Sequence, residues 1–278
     1  MTIDTGDELL AALGNNSTRF VVDKANIGSQ TAGRYVSLWR ATGVPGQAAI
    51  PGTTPAVPTS ATTGAIPFTN QTSPITSYLA RLSLTSGNNS GLFEIHDRIA
   101  HSGGLVLNTT SPQTITGFDL TALAPAAARM GPSDGTELSW WLEVYTDGGA
   151  TASDATINVD YVGGSSGDLN VQAVGGTIRA GNLFSLNTLI PSADQGKRIA
   201  GVNSVTLSAS TGTAGNFGFT CTRAKASLTM PVGNLGTTAD WAALGLPEIP
   251  NDACLMMMIL PTLTSSGALR GSGVIAHG

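Results

Sequence analysis

Leu138-Ser-Trp-Trp-Leu-Glu-Val-Tyr145 is the stretch whose reading decides the fold. Leu138, Trp140, Leu142 and Val144 alternate with Ser139, Trp141, Glu143 and Tyr145. A period of two places the two sets on opposite faces of a strand. The first set is predicted to lie in a β core, with Trp140 at its centre. Trp141, on the other face, is placed to cover an extended arm or a neighbouring subunit.

The same alternation recurs outward from this point. Ile157, Val159 and Tyr161 alternate with Asn158 and Asp160; Val205, Leu207 and Ala209 with Ser204, Thr206 and Ser208. Phe217, Phe219 and Cys221 alternate with Gly218, Thr220 and Thr222. Segments 78–84, 92–99, 114–120, 169–174, 183–189, 255–260 and 273–276 also read as strands, as do 19–23 and 35–40. Gly-rich turn signals separate them at 87–91, 147–149, 163–167 and 212–215. Many short strands at this spacing predict a mainly β chain, an antiparallel sandwich or jelly roll, rather than βαβ units. Less than about a fifth of the chain is expected to be helical. One short helix is predicted at the start, where Thr5-Gly-Asp-Glu8 matches a capping box. Leu9, Leu10 and Leu13 form its apolar face, and Gly14 is expected to end it. A second short helix is predicted over 238–244.

Residues 41–77 break the pattern. Pro45, Pro51, Pro55, Pro58, Pro67 and Pro74 fall there among Gly, Thr and Ala. Proline removes a donor and fixes the backbone, so a regular central strand is excluded. The reading is an extended Pro/Thr-rich arm, with a flexible linker as the alternative. Val44, Ile50, Val57, Ile66 and Phe68 would contact a partner. This divides the chain into 1–77, holding the helix, early strands and attachment arm, and 78–278, a sandwich or jelly-roll body.

Charge sets further bounds. Charged residues make up 11% of the chain and the net charge is −5, against roughly 25% charged in average soluble proteins. No basic stripe is present to neutralise phosphates, so nucleic acid is not an expected partner. The longest strongly apolar run, Cys254 to Leu260, is one strand long, and no membrane partner is expected. The first residues lack a basic region and an apolar signal core. Cys221 and Cys254 both sit in apolar strand-like stretches and read as buried thiols.

Chemistry-bearing residues are sparse. Glu94, His96, Asp97 and His101 form the densest polar group, but their spacing matches no metal motif. Asp97 and Arg98 are expected to pair or hydrogen-bond at a strand end. His101-Ser-Gly-Gly104 superficially resembles an oxyanion loop, yet no nucleophile elbow accompanies it. Glu94, Asp97, Glu143 and Asp160 are acid pair candidates by residue type alone. Trp39, Trp140, Trp141 and Trp241 are few for sugar stacking. No catalytic, metal or cofactor residue is assigned, and the chain is expected not to be an enzyme.

Five phrases carry a family resemblance. They are Ser37-Leu-Trp-Arg-Ala-Thr-Gly-Val-Pro-Gly46, Glu94-Ile-His-Asp-Arg-Ile-Ala-His-Ser-Gly-Gly104, Ser139-Trp-Trp-Leu-Glu-Val-Tyr-Thr-Asp-Gly148, Leu207-Ser-Ala-Ser-Thr-Gly-Thr-Ala-Gly-Asn-Phe-Gly218 and Gly245-Leu-Pro-Glu-Ile-Pro-Asn-Asp-Ala-Cys254. Together they span most of the chain. In them it resembles tailed-bacteriophage and prophage virion structural proteins, and head decoration, or capsid cement, proteins in particular. The resemblance implies a particle assembled in the bacterial host cytoplasm. It does not fix the place in the particle; a head decoration role is the expectation, with the major capsid protein and further copies of this chain, as a trimer, for partners. A collar, tail or fibre subunit, or a carbohydrate-binding sandwich, is the alternative. It carries over no catalytic residue.

Overall fold

The computed structural model describes residues 3–87, 91–176 and 178–278. The turn expected at 87–91 lies partly outside them. The protein is mainly β, 40% strand and 10% helix, in several antiparallel sheets consistent with a β-sandwich. Nine strands of the described residues carry most of it: β1 (Ser17–Lys24), β2 (Ser77–Ser86), β3 (Gly91–His101), β4 (Leu138–Thr146), β5 (Asp154–Tyr161), β6 (Ile199–Leu207), β7 (Asn216–Met230), β8 (Leu255–Pro261) and β9 (Leu269–His277). They form two compact units. The first takes 1–48, 59–97 and 224–278; the second takes 49–58 and 98–223. The chain passes between units inside β3, after Asp97, and inside β7, after Arg223.

In the first unit, β9 lies between β2 and β1, antiparallel to both. Thr237–Asp240 closes the β2 side and Gly43–Val44 the far side of β1. A second layer pairs 91–97 of β3 with β8, and β8 with Val36–Ser37. Phe20, Val22, Leu79, Leu82 and Ile275 from one layer join Phe93, Ile95, Met257 and Ile259 from the other in one buried cluster. Phe20 lies across its register partner Gly273, where a Cβ would stand 2.2 Å from the ring's Cζ. Only glycine leaves the aromatic ring room to lie flat against the neighbouring strand.

Helix α1 (Gly6–Asn15) packs Leu9 and Ala12 against Ala80 and Ala276. Its Thr5–Glu8 capping box is formed in both directions. The end is not at Gly14. The helix runs on to Asn15, and Asn16 caps it by donating its N–H to Ala12 O.

In the second unit, β5 pairs with β6, flanked by Gln172–Ala173 and Gln113–Thr114. The facing layer pairs β4 with 216–223 of β7 and with Leu183–Ser185. Leu138, Trp140, Leu142 and Val144 are all buried in the cluster between these layers. Trp140 is 0% exposed, donates its Nε1–H to Ile199 O at 2.9 Å, and meets Phe118 edge-on at 5.3 Å.

Several predicted strands are shorter than expected. Of 114–120 only Thr114 lies in a strand, Gln113–Thr114, and Asp119 accepts the N–H groups of Thr121 and Ala122 and starts the helix Leu120–Leu123. Of 183–189, only Leu183–Ser185 is strand; a 3₁₀ turn, Asn187–Leu189, follows. Within 169–174 the strand is Gln172–Ala173, and within 35–40 it is Val36–Ser37. The second predicted helix narrows to Trp241–Leu244, capped by Asp240.

Residues 1–77 are shared between the two units. The expected boundary falls at the start of β2, and neither compact unit follows it. β1 is an integral strand of the first unit's sheet. The Pro-rich segment is laid on this chain's own surface. Lys24, 0% exposed, donates to the carbonyls of Ala41 and Pro45 at 3.0 and 2.6 Å. Ile66 is 0% exposed and its N–H bonds Leu255 O. Asn70 and Gln71 bond Asp252 and Asn251, and Thr76 pairs with Gly278. Phe68 packs partly buried against the first unit's core. Residues 49–58 instead belong to the second unit. Of the five residues assigned to partner contact, Ile66 is spent inside and Ile50, Val57 and Phe68 are half-buried, while Val44 is 49% exposed.

Candidate functional site

The densest cluster of titratable groups is in the second unit, on the face of β4 opposite Trp140. Glu143 and Tyr145 point there, and both are buried. Arg98, at the end of β3, pairs with Glu143 at 2.7 Å. Its Nε donates to His101 Nδ1 at 2.9 Å, and its Nη2 donates to Tyr145 Oη at 2.9 Å and Thr220 Oγ1 at 3.0 Å. Thr220 in turn donates to Glu143 Oε2 at 2.6 Å, and Tyr145 Oη to Ser102 O at 3.1 Å. Arg129 adds Nη2 to Arg98 O and Nη1 to Pro58 O, both at 2.9 Å.

Segment 49–58 covers this cluster. Ala56 and His101 exchange backbone bonds at 3.0 Å, and Gly103 N–H donates to Gly52 O at 2.8 Å. Gly103 sits between Pro51 and Tyr145; a Cβ there would be 2.4 Å from Pro51 O. Trp141 shares this face, buried, with its Nε1–H on Thr222 Oγ1.

The electrostatics follow from burial. A charge is tolerated in such a place only when paired and hydrogen-bonded. Arg98 and Glu143 satisfy that condition for each other. His101 cannot become a third charge: burial and the adjacent Arg98 guanidinium push it down to about 2. Because Arg98 Nε–H donates to Nδ1, the imidazole is neutral with its proton on Nε2. Burial holds the Tyr145 phenol well above its ordinary value, with Glu143 adding to the effect. Such an arrangement can hold strands and a covering segment together. A general base needs access to substrate; Arg98, Glu143 and Tyr145 are at most 1% exposed and His101 is 9% exposed.

The other candidates disperse. In the first unit, His96 Nε2 meets Glu94 Oε2 at 3.2 Å, and burial, with Glu94 adding to it, pushes Tyr35 up to about 12. Asp97 is 0% exposed and accepts the N–H of Cys254 at 2.8 Å. His277 bridges Ser77 Oγ at 2.8 Å and Thr18 Oγ1 at 2.9 Å, a Ser–His contact with both partners buried or half-buried. The Gly103 and Gly104 N–H groups are consumed by Gly52 O and Asn216 Oδ1, so they form no oxyanion hole. Among the described residues, no three His, Cys, Asp or Glu side chains converge as metal ligands. Cys221 and Cys254 are buried thiols.

The second unit also has a cleft of about 630 Å³, lined by Leu120, Met130, Leu138 and Ile199, with Asp119 and Asp160 on its wall. Both carboxylates are engaged: Asp119 caps a helix, and Asp160 accepts Asn203 Nδ2 at 2.9 Å.

No family model matches the chain. No curated protein matches it either. Among solved structures, it is similar to a chain of the infectious bursal disease virus Gt strain, with 11% identity over 94% of this chain and 80% of that one, at a TM-score of 0.18. The corresponding Gx strain structure gives 10% identity, 94% and 80% coverage, and a TM-score of 0.18. The VP2 subviral particle of the same virus gives 12% identity, 94% and 79% coverage, and a TM-score of 0.17. TM-scores of this size do not describe a shared fold.

The Arg98–Glu143 pair was not legible in the sequence. Strand alternation sets Glu143 opposite Trp140, which for an ordinary sandwich means solvent. The available signal was its neighbours: Trp141 and Tyr145, on the same face, are too apolar for an uncovered surface.

Proposed function

We propose that the chain is a non-enzymatic structural component of a tailed-phage virion, a decoration or cement protein that binds and stabilises the head shell. Its partners in this reading are the major capsid protein and further copies of itself, and its place is the virion. The five resembling phrases, spread over most of the chain, support the phage assignment. One structural observation carries the structural role. The richest group of ionisable side chains, Arg98, Glu143, Tyr145 and His101, is buried beneath the chain's own 49–58 segment and spent on holding strands together. That is a use of charge suited to a rigid part of an assembly.

Imaging of intact particles tests the reading. Density for this chain on the outer face of the head, with heads lacking it losing resistance to heat, is the expected result. Density in a collar, tail or fibre would move the protein to another part of the virion. Particles without it, together with specific glycan binding, would overturn the reading.

A further inference from the structure

We infer that β1 is a pairing edge for a second copy of this chain, through an antiparallel contact centred on Phe20. The inference does not depend on the virion reading.

The observation is an incomplete strand edge. On one side β1 pairs with β9 along its whole length, from Ser17 to Lys24. On the other side only Asp23 and Lys24 are paired, with Val44 and Gly43. The chain cannot continue that pairing toward Val22. The next residue, Pro45, has no N–H to give, and its carbonyl turns to Lys24 Nζ. Along 17–22 no other strand or isolated bridge of the described residues lies on this side. Ser17 and Arg19 are exposed, and Val21 is 53% exposed. A row of unsatisfied backbone donors and acceptors of this length is a template for another strand.

The side chains select the occupant. Two copies meeting edge to edge through a two-fold axis must set like faces together, so the register is centred on a residue. Centring on Arg19 opposes two guanidinium groups, which costs free energy. Centring on Val21 requires Asp23, which already holds Val44. Centring on Phe20 sets Arg19 against Val21 and Thr18 against Val22, with no like charges opposed. The aliphatic stem of Arg19 then covers the exposed Val21 of the other copy. Phe20 and Val22 already belong to the buried core, so the pairing extends one apolar layer into the next. Such an isologous contact closes with two copies, in place of the trimer expected of a head decoration protein.

The test uses the full chain. Mass measured by light scattering over a dilution series should report a dimer that dissociates on dilution. Val21→Lys places a cation against Arg19 of the other copy and should weaken the dimer about tenfold. Arg19→Glu with Val21→Lys restores complementarity and should recover the association. Amide exchange at 18–22 of the unaltered protein should slow as concentration rises, a readout that needs no variant. A protein that is monomeric throughout, a trimer indifferent to Val21→Lys, or a double variant no tighter than the single one would overturn the inference. Exchange at 18–22 that is independent of concentration would do the same.

Discussion

Arg98 Nε donates a hydrogen bond to His101 Nδ1 at 2.9 Å, three residues along the chain and wholly inside the protein. The contact makes His101 an obligatory neutral base. Protonating it would aim two donors at one another beside a buried guanidinium.

Stability should therefore fall with acid before the carboxylates titrate. The ordinary value for His101 is 6.5, and in the folded protein burial and Arg98 push it down to about 2. The unfolded chain binds the extra proton, so His101's contribution is complete above about pH 6.5 and is lost progressively below it. Burial lowers His277 as well, which adds a loss of the same sign. Urea denaturation at pH 7, 6 and 5 should show a declining midpoint. His101→Gln keeps an acceptor for Arg98 without a titrating ring and should flatten that decline.

Breaking the ion pair should be costly. Glu143→Gln leaves Arg98 charged and buried without its counter-ion and should destabilise by about 3–5 kcal/mol. Removing both charges, as Arg98→Met with Glu143→Leu, should recover a large part of the loss. Equilibrium unfolding of the two single variants and the double variant measures the coupling.

Trp140→Ala should destabilise by about 3–5 kcal/mol, since it empties a site walled by Phe118 and removes the bond to Ile199 O. Trp140→Phe retains the apolar packing and should cost less. A melting temperature unchanged in Trp140→Ala would contradict the packing described.

Gly103→Ala should loosen the cover without emptying the core. The added methyl meets Pro51 O, a backbone atom. A cost of about 1–3 kcal/mol is expected for such overpacking. Limited proteolysis should show new cleavage within 49–58 while the β4 region stays protected.

A chain beginning at Tyr78 should not fold its first unit. It lacks β1, a full-length partner of β9, along with Ile66 and Phe68. Circular dichroism and amide exchange should show β2 and β9 unprotected in that truncated protein.

Much of the fold was legible because half-buried strands announce themselves by alternation. β4, β5 and β7 lie where the period of two placed them. β7 runs on to Met230, beyond the Phe217–Cys221 pattern, because its later residues alternate less cleanly. The failures have local causes. Residues 115–119 stay beside β6 only through scattered bonds and the Asp119–Gly201 bridge, and Asp119 then caps a helix, a competition between one side chain and a strand propensity. The destination of the Pro-rich segment was hidden for another reason. Its partners, His101, Gly103, Arg129 and Leu255, are distant in sequence and carry no pattern that refers to it. Prolines announced that the segment was extended, but extended chain on its own body and extended chain on a neighbour have the same composition. The pairing of Arg98 with Glu143 shares that opacity, since each residue alone reads as an ordinary surface charge.

The placement of β9 between β2 and β1 sets the timing of folding on the ribosome. Residues 17–24 and 77–86 emerge early, yet they do not pair with each other; each waits for 269–277. Until then β1 has only Gly43–Val44 beside it and β2 only Thr237–Asp240 and Glu248–Ile249, so most of both apolar strands stays laterally open, which is a demand for chaperone shielding. The second unit can close once 216–223 have left the exit tunnel, so it should acquire protease resistance first, and the first unit only after the segment containing β9 is free.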